Sequence, residues 1–289
     1  MNMLALLYLS QGNLAQAEPL ITKVVEVRRR ALGEDHPRTL ASMDDLGRLY
    51  LEQGDYARAE PLFTKVLESQ RKVQGNEHPD TLNTINDLAC LYRAESKYAQ
   101  AEPLFILTLD ARKRVLGDEH PDTLNTMSDL AMLYRDQSMY AQAESLLRRV
   151  SEARRRVLGE EHPDTANALS SLAGIRFMQQ RYAEAESLLR EALQRQEEKI
   201  PGSWQQYDSQ SLLGATLARQ AKFAEAEPLL VAGYRGLVKR QTTIPWENRS
   251  TVEQAGERVV QFYKEWGKPE KAAAWQQELH TTTSAAHLQ

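Results

Sequence analysis

Apolar side chains recur along this chain at steps of three and four, the spacing that gathers them on one face of an α-helix. From Pro37 onward, Leu40, Met43, Leu46, Gly47 and Tyr50 share such a face, and Tyr56, Ala59, Leu62, Phe63, Val66 and Leu67 share the next. Between the two runs Gly54 suits the left-handed residue that ends a helix, and Asp55 suits the N-cap of its successor. The pattern predicts a hairpin of two antiparallel helices.

The hairpin repeats. The tetrapeptide His-Pro-x-Thr begins at His36, His78, His120 and His162, a constant 42 residues apart. The pair Ala-Glu keeps step at Ala17-Glu18, Ala59-Glu60, Ala101-Glu102, Ala143-Glu144 and Ala185-Glu186, and returns at Ala226-Glu227 one residue out of register. A fixed period of this length predicts stacked supersecondary units, each burying its apolar face on its neighbours. Gly33, Gly75, Gly117 and Gly159 are placed to end the second helix of a unit. Pro37, Pro79, Pro121 and Pro163 then fit the first turn of the next helix, where no backbone donor is required. Asp80, Asp122 and Asp164 add negative charge at the positive end of the helix dipole. Small residues at Gly47, Ala89, Ala131, Ala173 and Gly214, opposite Ala59, Ala101, Ala143, Ala185 and Ala226, predict close approach within each hairpin. Pro19, Pro61, Pro103 and Pro228 fall inside the second helices, where a kink or a solvated carbonyl is expected.

Seven units follow: residues 1–35, truncated, then 36–77, 78–119, 120–161, 162–202, 203–244 and a capping unit at 245–280. The connectors at Ile200-Pro201-Gly202-Ser203-Trp204 and Ile244-Pro245-Trp246 lose the His-Pro motif. Trp266 and Trp275 are expected to cover the exposed end, and 281–289 reads as a frayed tail. Aligned on Ala17, Met1 falls inside the first helix of its unit and leaves an apolar edge with Leu4, Ala5 and Tyr8. The expectation is a fragment of a longer polypeptide, the other reading being an edge that pairs with a partner or a second copy.

Composition narrows the function classes. Of 289 residues, 42% are hydrophobic and 26% charged, which fits a folded chain. A formal net charge of -4 lends no support to nucleic acid or anionic membrane as partner. The one cysteine, Cys90, cannot close an internal disulfide and fits a reducing compartment, so a cytoplasmic protein is expected. No apolar run is long enough to span a bilayer. The chain carries no Gly-rich phosphate loop, nucleophile elbow or HExxH motif, so neither an enzyme nor a cofactor is expected. The four periodic histidines, with Asp35, Glu77, Glu119 and Glu161 beside them, invite a metal reading. Equivalent positions of stacked helix pairs lie on the order of 10 Å apart, too far to share an ion, so a structural role at the helix start is expected. The basic runs Arg28-Arg29-Arg30, Arg112-Lys113-Arg114 and Arg154-Arg155-Arg156 complement the dipole at the ends of the second helices.

The order Leu88-Ala89, Leu91-Tyr92, Tyr98-Ala99, Ala101-Glu102, Leu104-Phe105 resembles the tetratricopeptide repeat. The 42-residue unit with its His-Pro-x-Thr connector resembles the kinesin-light-chain variety, although no heptad coiled coil precedes the array. The resemblance implies an all-α, right-handed superhelical solenoid of antiparallel helical hairpins. It further implies a scaffold that holds a peptide or protein partner in a concave groove lined by the first helices. Carried over by position, the candidate contacts are Asp44 and Arg48, then Asn83, Asn86, Cys90 and Arg93. Asn125, Ser128, Met132 and Arg135 follow, and then Asn167, Ser170 and Phe177. An asparagine amide offers donor and acceptor to an extended backbone, and Arg48, Arg93 and Arg135 can each grip a carboxylate. The expected ligand is an extended, partly acidic peptide. The second reading is a repeat module that positions the catalytic domain of a larger signalling protein; nucleic-acid binding is disfavoured by the acidic balance.

Overall fold

In the computed structural model, which describes residues 1–286, fourteen α-helices follow one another in seven hairpins. They are α1 (Asn2–Ser10) with α2 (Leu14–Leu32), α3 (Pro37–Gln53) with α4 (Tyr56–Val73), and α5 (Pro79–Ala94) with α6 (Tyr98–Leu116). Next come α7 (Pro121–Asp136) with α8 (Tyr140–Leu158) and α9 (Pro163–Met178) with α10 (Tyr182–Lys199). The last two pairs are α11 (Trp204–Ala218) with α12 (Phe223–Arg240) and α13 (Ser250–Glu265) with α14 (Pro269–Ala286). The last helix thus continues past residue 280, into the stretch expected as a tail; residues 287–289 lie outside the described chain.

The periodic tetrapeptide is a connector built from local hydrogen bonds. Each motif histidine is an N-cap whose Nδ1 accepts the backbone N–H two residues on: Arg38 at 3.1 Å, Asp80 at 3.2 Å, Asp122 at 3.2 Å and Asp164 at 3.1 Å. Proline occupies the first helical position after it. The motif threonines Thr39, Thr81, Thr123 and Thr165 are fully buried and donate to the carbonyls of Gly33, Gly75, Gly117 and Gly159, each at 2.8 Å. Gly33, with φ 92° and ψ 165°, sits in an extended left-handed region open essentially to glycine alone. Glycine is needed there as expected, though in a different conformation from the usual left-handed helix cap. The conformation turns its carbonyl toward the threonine.

The internal prolines leave the helices unbroken. The carbonyl that each deprives of a donor, four residues back, belongs to Ala15, Ala57, Ala99 or Ala224 in the first turn. These alanines and the prolines themselves are exposed, as a solvated carbonyl at each would require.

The chain divides into two compact units: residues 1–146 with Pro245–Glu247, and the remainder. In the first, each helix packs on the next from α1 to α7, and the first helices of successive hairpins also touch, α3 on α5 and α5 on α7. Its core runs from Ala5, Ala17, Ile21, Leu40, Met43 and Leu49 to Phe63, Leu82, Ile85, Leu88 and Leu91. The second unit buries Ala173, Leu189, Leu213, Leu230, Val259 and Phe262. Trp275 belongs to the same cluster, edge-on to Tyr234 at 5.6 Å, and Trp266 packs against it, stacked on Phe223 at 5.6 Å.

The small-residue register also reads out as close approach. A Cβ at Gly47 would stand 2.7 Å from the Phe63 ring, and one at Gly214 would stand 2.7 Å from Leu230 Cγ and 3.0 Å from the Ala226 carbonyl oxygen. Between α11 and α12 the backbones come closer still: a Cβ at Gly233 would meet the Ser211 nitrogen at 2.6 Å and the Tyr207 oxygen at 2.7 Å. At the start of the chain, the α1 side chains of Met3, Leu4 and Leu7 are exposed. No described helix is long and apolar enough to cross a membrane.

Candidate ligand-binding wall

In the first unit, α3, α5 and α7 stand side by side and present residues of one 42-residue register. Asp45, Asp87 and Asp129 form one row; Asp44, Asn86 and Ser128 form the row before it; Arg48, Cys90 and Met132 form a third.

Much of this polar chemistry joins one repeat to the next. Thr84 Oγ1 donates to Asp44 Oδ1 at 2.7 Å, and one repeat on Thr126 Oγ1 donates to Asn86 Oδ1 at 3.2 Å. The Asn86 amide donates to Asp129 Oδ2 at 2.9 Å. Arg48 Nε lies 3.7 Å from Asp87 Oδ2, and Arg93 Nε lies 3.5 Å from Asp136 Oδ2. Arg135 reaches the same Asp136 carboxylate at 2.8 Å. Asn83 accepts from Arg112 Nη2 at 2.5 Å, and in the second unit Asn167 accepts from Gln196 Nε2 at 3.1 Å. Ser128 Oγ donates back to the Leu124 carbonyl within its own helix.

The site residues expected from sequence therefore separate by environment. Arg48, Asn83 and Asn125 are exposed on the wall, whereas Asn86, Ser128, Arg135 and Asn167 are half-buried and Arg93 is buried. Seven of the eight lie in the first unit; Asn167 lies in the second, as do Ser170, bonded to Ser209 at 2.8 Å, and Phe177, packed against the core there.

The basic runs carry more than dipole compensation. Arg112, 5% exposed, donates Nη1 to the Asp122 carbonyl at 3.0 Å and to Thr126 Oγ1 at 2.6 Å, tying the end of α6 to the first turn of α7. Arg28 does the same for α2 and α3, through the Arg38 carbonyl at 3.0 Å and Ser42 Oγ at 2.5 Å. Among the described residues, no three His, Cys, Asp or Glu side chains converge on a point that could hold a metal ion. Each motif histidine spends its Nδ1 on capping.

A cavity of about 360 Å³ opens on this wall, lined by Leu6, Leu9, Asp45, Arg48, Leu51, Glu52, Asp87, Cys90, Trp246 and Glu247. Its electrostatics are governed by crowded carboxylates. Burial and the neighbouring Asp87 push the Asp44 carboxyl up to about 8, and burial raises Asp87 itself against the pull of Arg48. Burial also pushes the Cys90 thiol up, so the free cysteine is held neutral and unreactive.

The aspartate row was missed by reading the sequence, although its 42-residue spacing was visible beside that of Asp44. Trp246 and Glu247 carry no such signal, since they reach the wall from a connector that has lost the repeat motif.

A tetratricopeptide-repeat family profile matches residues 1–72, 52–106, 91–156 and 128–198. The chain belongs to the tetratricopeptide-repeat family. Among solved structures it is similar to a putative kinesin light chain of Podospora anserina with nearly identical tetratricopeptide-like repeats. That likeness has 26% identity over 71% of this chain and 98% of that one, with a TM-score of 0.59. The apo form of RapI matches 99% of this chain and 97% of its own at a TM-score of 0.77 and 13% identity. A Rap protein complexed with competence and sporulation factor matches 93% of this chain and 80% of its own, at a TM-score of 0.64 and 12% identity. At such identities the Rap likenesses are ones of fold. No curated protein matches the chain. As a tetratricopeptide-repeat array it is a solenoid of helical hairpins, the kind of fold that serves as a protein-interaction scaffold.

Proposed function

We propose that the first-helix wall of the first unit binds an extended peptide segment of a protein partner, and that the chain works as a non-catalytic scaffold. The observation that carries this is the cavity on that wall, where exposed Arg48 stands beside a row of carboxylates and above the apolar side chains of Leu6, Leu9 and Leu51. Such a surface offers an ion-pairing group, backbone acceptors and an apolar floor within one short stretch, which is what a peptide main chain with alternating side chains requires. The Rap protein complexed with competence and sporulation factor lends support, because a protein of similar fold is seen there holding a partner.

The partner's chemistry follows from the pairing. Arg93 and Arg135 share Asp136, whereas Arg48, paired with Asp87 at the longer distance of 3.7 Å and exposed, is the better-placed cation for a ligand carboxylate. Asp45 and Asp87 favour a cationic side chain or amide donors next to it. The ligand is then a peptide with an acidic residue flanked by a basic or amide-bearing one, less acidic than three free arginines would demand.

The test is selection from a random peptide library on wild type and on a variant carrying Arg48→Ala and Asn125→Ala, both exposed positions. Peptides enriched by wild type are expected to bind the variant at least tenfold more weakly, with melting temperature unchanged. Equal affinity would move the ligand off this wall.

A further inference from the structure

The wall is already partly occupied by the chain itself. Four connectors join their hairpins through the histidine cap and the threonine–glycine bond, but the one between α12 and α13 has neither. In its place run two short 3-10 turns, Gln241–Thr243 and Trp246–Asn248. Pro245–Glu247 belongs to the first unit, where the Trp246 ring packs half-buried against the core cluster that includes Leu51, Phe63 and Leu88. The Trp246 backbone N–H donates to Glu52 Oε2 at 3.3 Å. Trp246 and Glu247 line the cavity together with Cys90, whose side chain is 5% exposed.

We propose that Pro245–Trp246–Glu247 is a displaceable strap on the first-helix wall, which a partner must lift to reach the inner cavity and Cys90. The inference rests on the reading of that wall as a binding surface.

Two features make the strap displaceable rather than a fixed part of the core. Its described anchors are the Trp246 ring and a long hydrogen bond, without the paired histidine and threonine bonds that fix the four motif connectors. The connector before α11 lacks these too but keeps a serine cap, Ser203 accepting the Gln206 backbone N–H at 3.2 Å. The strap also carries the wrong charge for its seat. Glu247 lies at the cavity rim, its side chain exposed but its carboxyl close to Glu52 and Asp129, with Arg93 and Arg48 as the opposing cations; partial desolvation together with those carboxylates raises the carboxyl to about 7. Ionised Glu247 is therefore repelled by Glu52 and Asp129, a repulsion that Arg93 and Arg48 offset in part. A ligand that brings a cation to the same carboxylates competes with advantage.

Cys90 is the natural reporter, being the one cysteine of the chain. Its alkylation rate by iodoacetamide would be measured on the full chain and divided by the rate in urea, which removes differences in intrinsic thiol reactivity. Trp246→Ala is expected to raise the native rate at least tenfold with the helical circular dichroism unchanged. Glu247→Lys, which turns repulsion from Glu52 and Asp129 into attraction, is expected to lower it below wild type. Hydrogen exchange of wild-type residues 244–248 is expected to be much faster than that of α5, and this arm holds even if Trp246→Ala fails to fold. Equal Cys90 rates in wild type and a folded Trp246→Ala, an unchanged or faster rate in Glu247→Lys, or exchange at 244–248 as slow as in α5 would each overturn the strap. None of these arms involves a ligand, so their failure would leave the peptide-binding reading to its own test.

Discussion

Ser96, Ser138, Gln180 and Ala221 hold φ values of 58°, 61°, 62° and 59° at the turn inside their hairpins, where the first two hairpins use Gly12 and Gly54. A side chain in that region crowds its own backbone, at a cost of roughly 1–2 kcal/mol. Ala221 is exposed, so Ala221→Gly relieves this strain without removing a packed group, while the freer unfolded chain returns part of the gain. The expected outcome is a stabilisation of about 1 kcal/mol, read as a higher melting temperature; a lower one would show that the turn is held without strain. Asp44 sets a second expectation at this scale. Its folded carboxyl titrates at about 8 against an ordinary value of 3.8, so between these values the native state holds a proton that the unfolded state has lost. Stability conferred by that proton is complete below about pH 4 and gone above about pH 8. Melting temperature should therefore fall as pH rises from 5 to 8, and Asp44→Asn, which keeps an acceptor for Thr84, should make the fall shallower. An identical profile in the variant would assign the slope to other groups.

At the scale of the element, the connector explains why so much of the fold was legible. Gly, His, Pro and Thr recur at a fixed period because each makes one local bond that the next repeat needs again. Period and hydrophobic spacing together predicted helix starts at Pro37, Pro79, Pro121 and Pro163 and a cap at Asp55, where α3, α5, α7, α9 and α4 begin, and the last connectors announced their irregularity by losing the motif. What local pattern does not carry is a contact with the next helix. Arg112 looked like a dipole-complementing residue because its reach to Thr126 depends on how α6 meets α7, and the tight crossing at Gly233 depends on the path of α11. The connector also yields a direct test. Thr123 is fully buried and donates to Gly117, so Thr123→Val keeps its shape and leaves that carbonyl only the long 3.5 Å bond from the His120 backbone N–H. The expected loss is about 1–3 kcal/mol, measured by urea denaturation. A neutral result would show that the connector is set by glycine and proline alone.

For the molecule as a whole, the candidate site was less legible than the fold, for a reason built into solenoids. A helix face turned away from its hairpin partner faces both the open wall and the equivalent helix of the neighbouring repeat, and periodicity does not separate the two. Asn83, Asn86 and Arg93 satisfied the positional rule, yet the structure bonds them to Arg112, Asp129 and Asp136. Arg48, which pairs with Asp87, and Asn125 satisfied the same rule and are exposed, as is Asn83, so exposure and bonding do not sort the residues in the same way. The contact of Trp246 with Glu52 spans most of the chain, beyond any local signal. The same nearest-neighbour construction governs how damage spreads. Leu88 is buried in α5 in a cluster with Leu51, Phe63, Leu82 and Ala111, so Leu88→Ala removes packing shared by α3 to α6. A core truncation of this kind costs about 2–5 kcal/mol. In an array stabilised by repeat-to-repeat interfaces the cost is felt by the hairpins that share the contact and fades with distance along the chain. Native-state hydrogen exchange of Leu88→Ala should accordingly lose protection across α3 to α6 while α13 keeps wild-type rates. Equal loss in α13 would mean that the chain opens as a single cooperative body, and that its repeats are coupled far more strongly than contacts between adjacent helices supply.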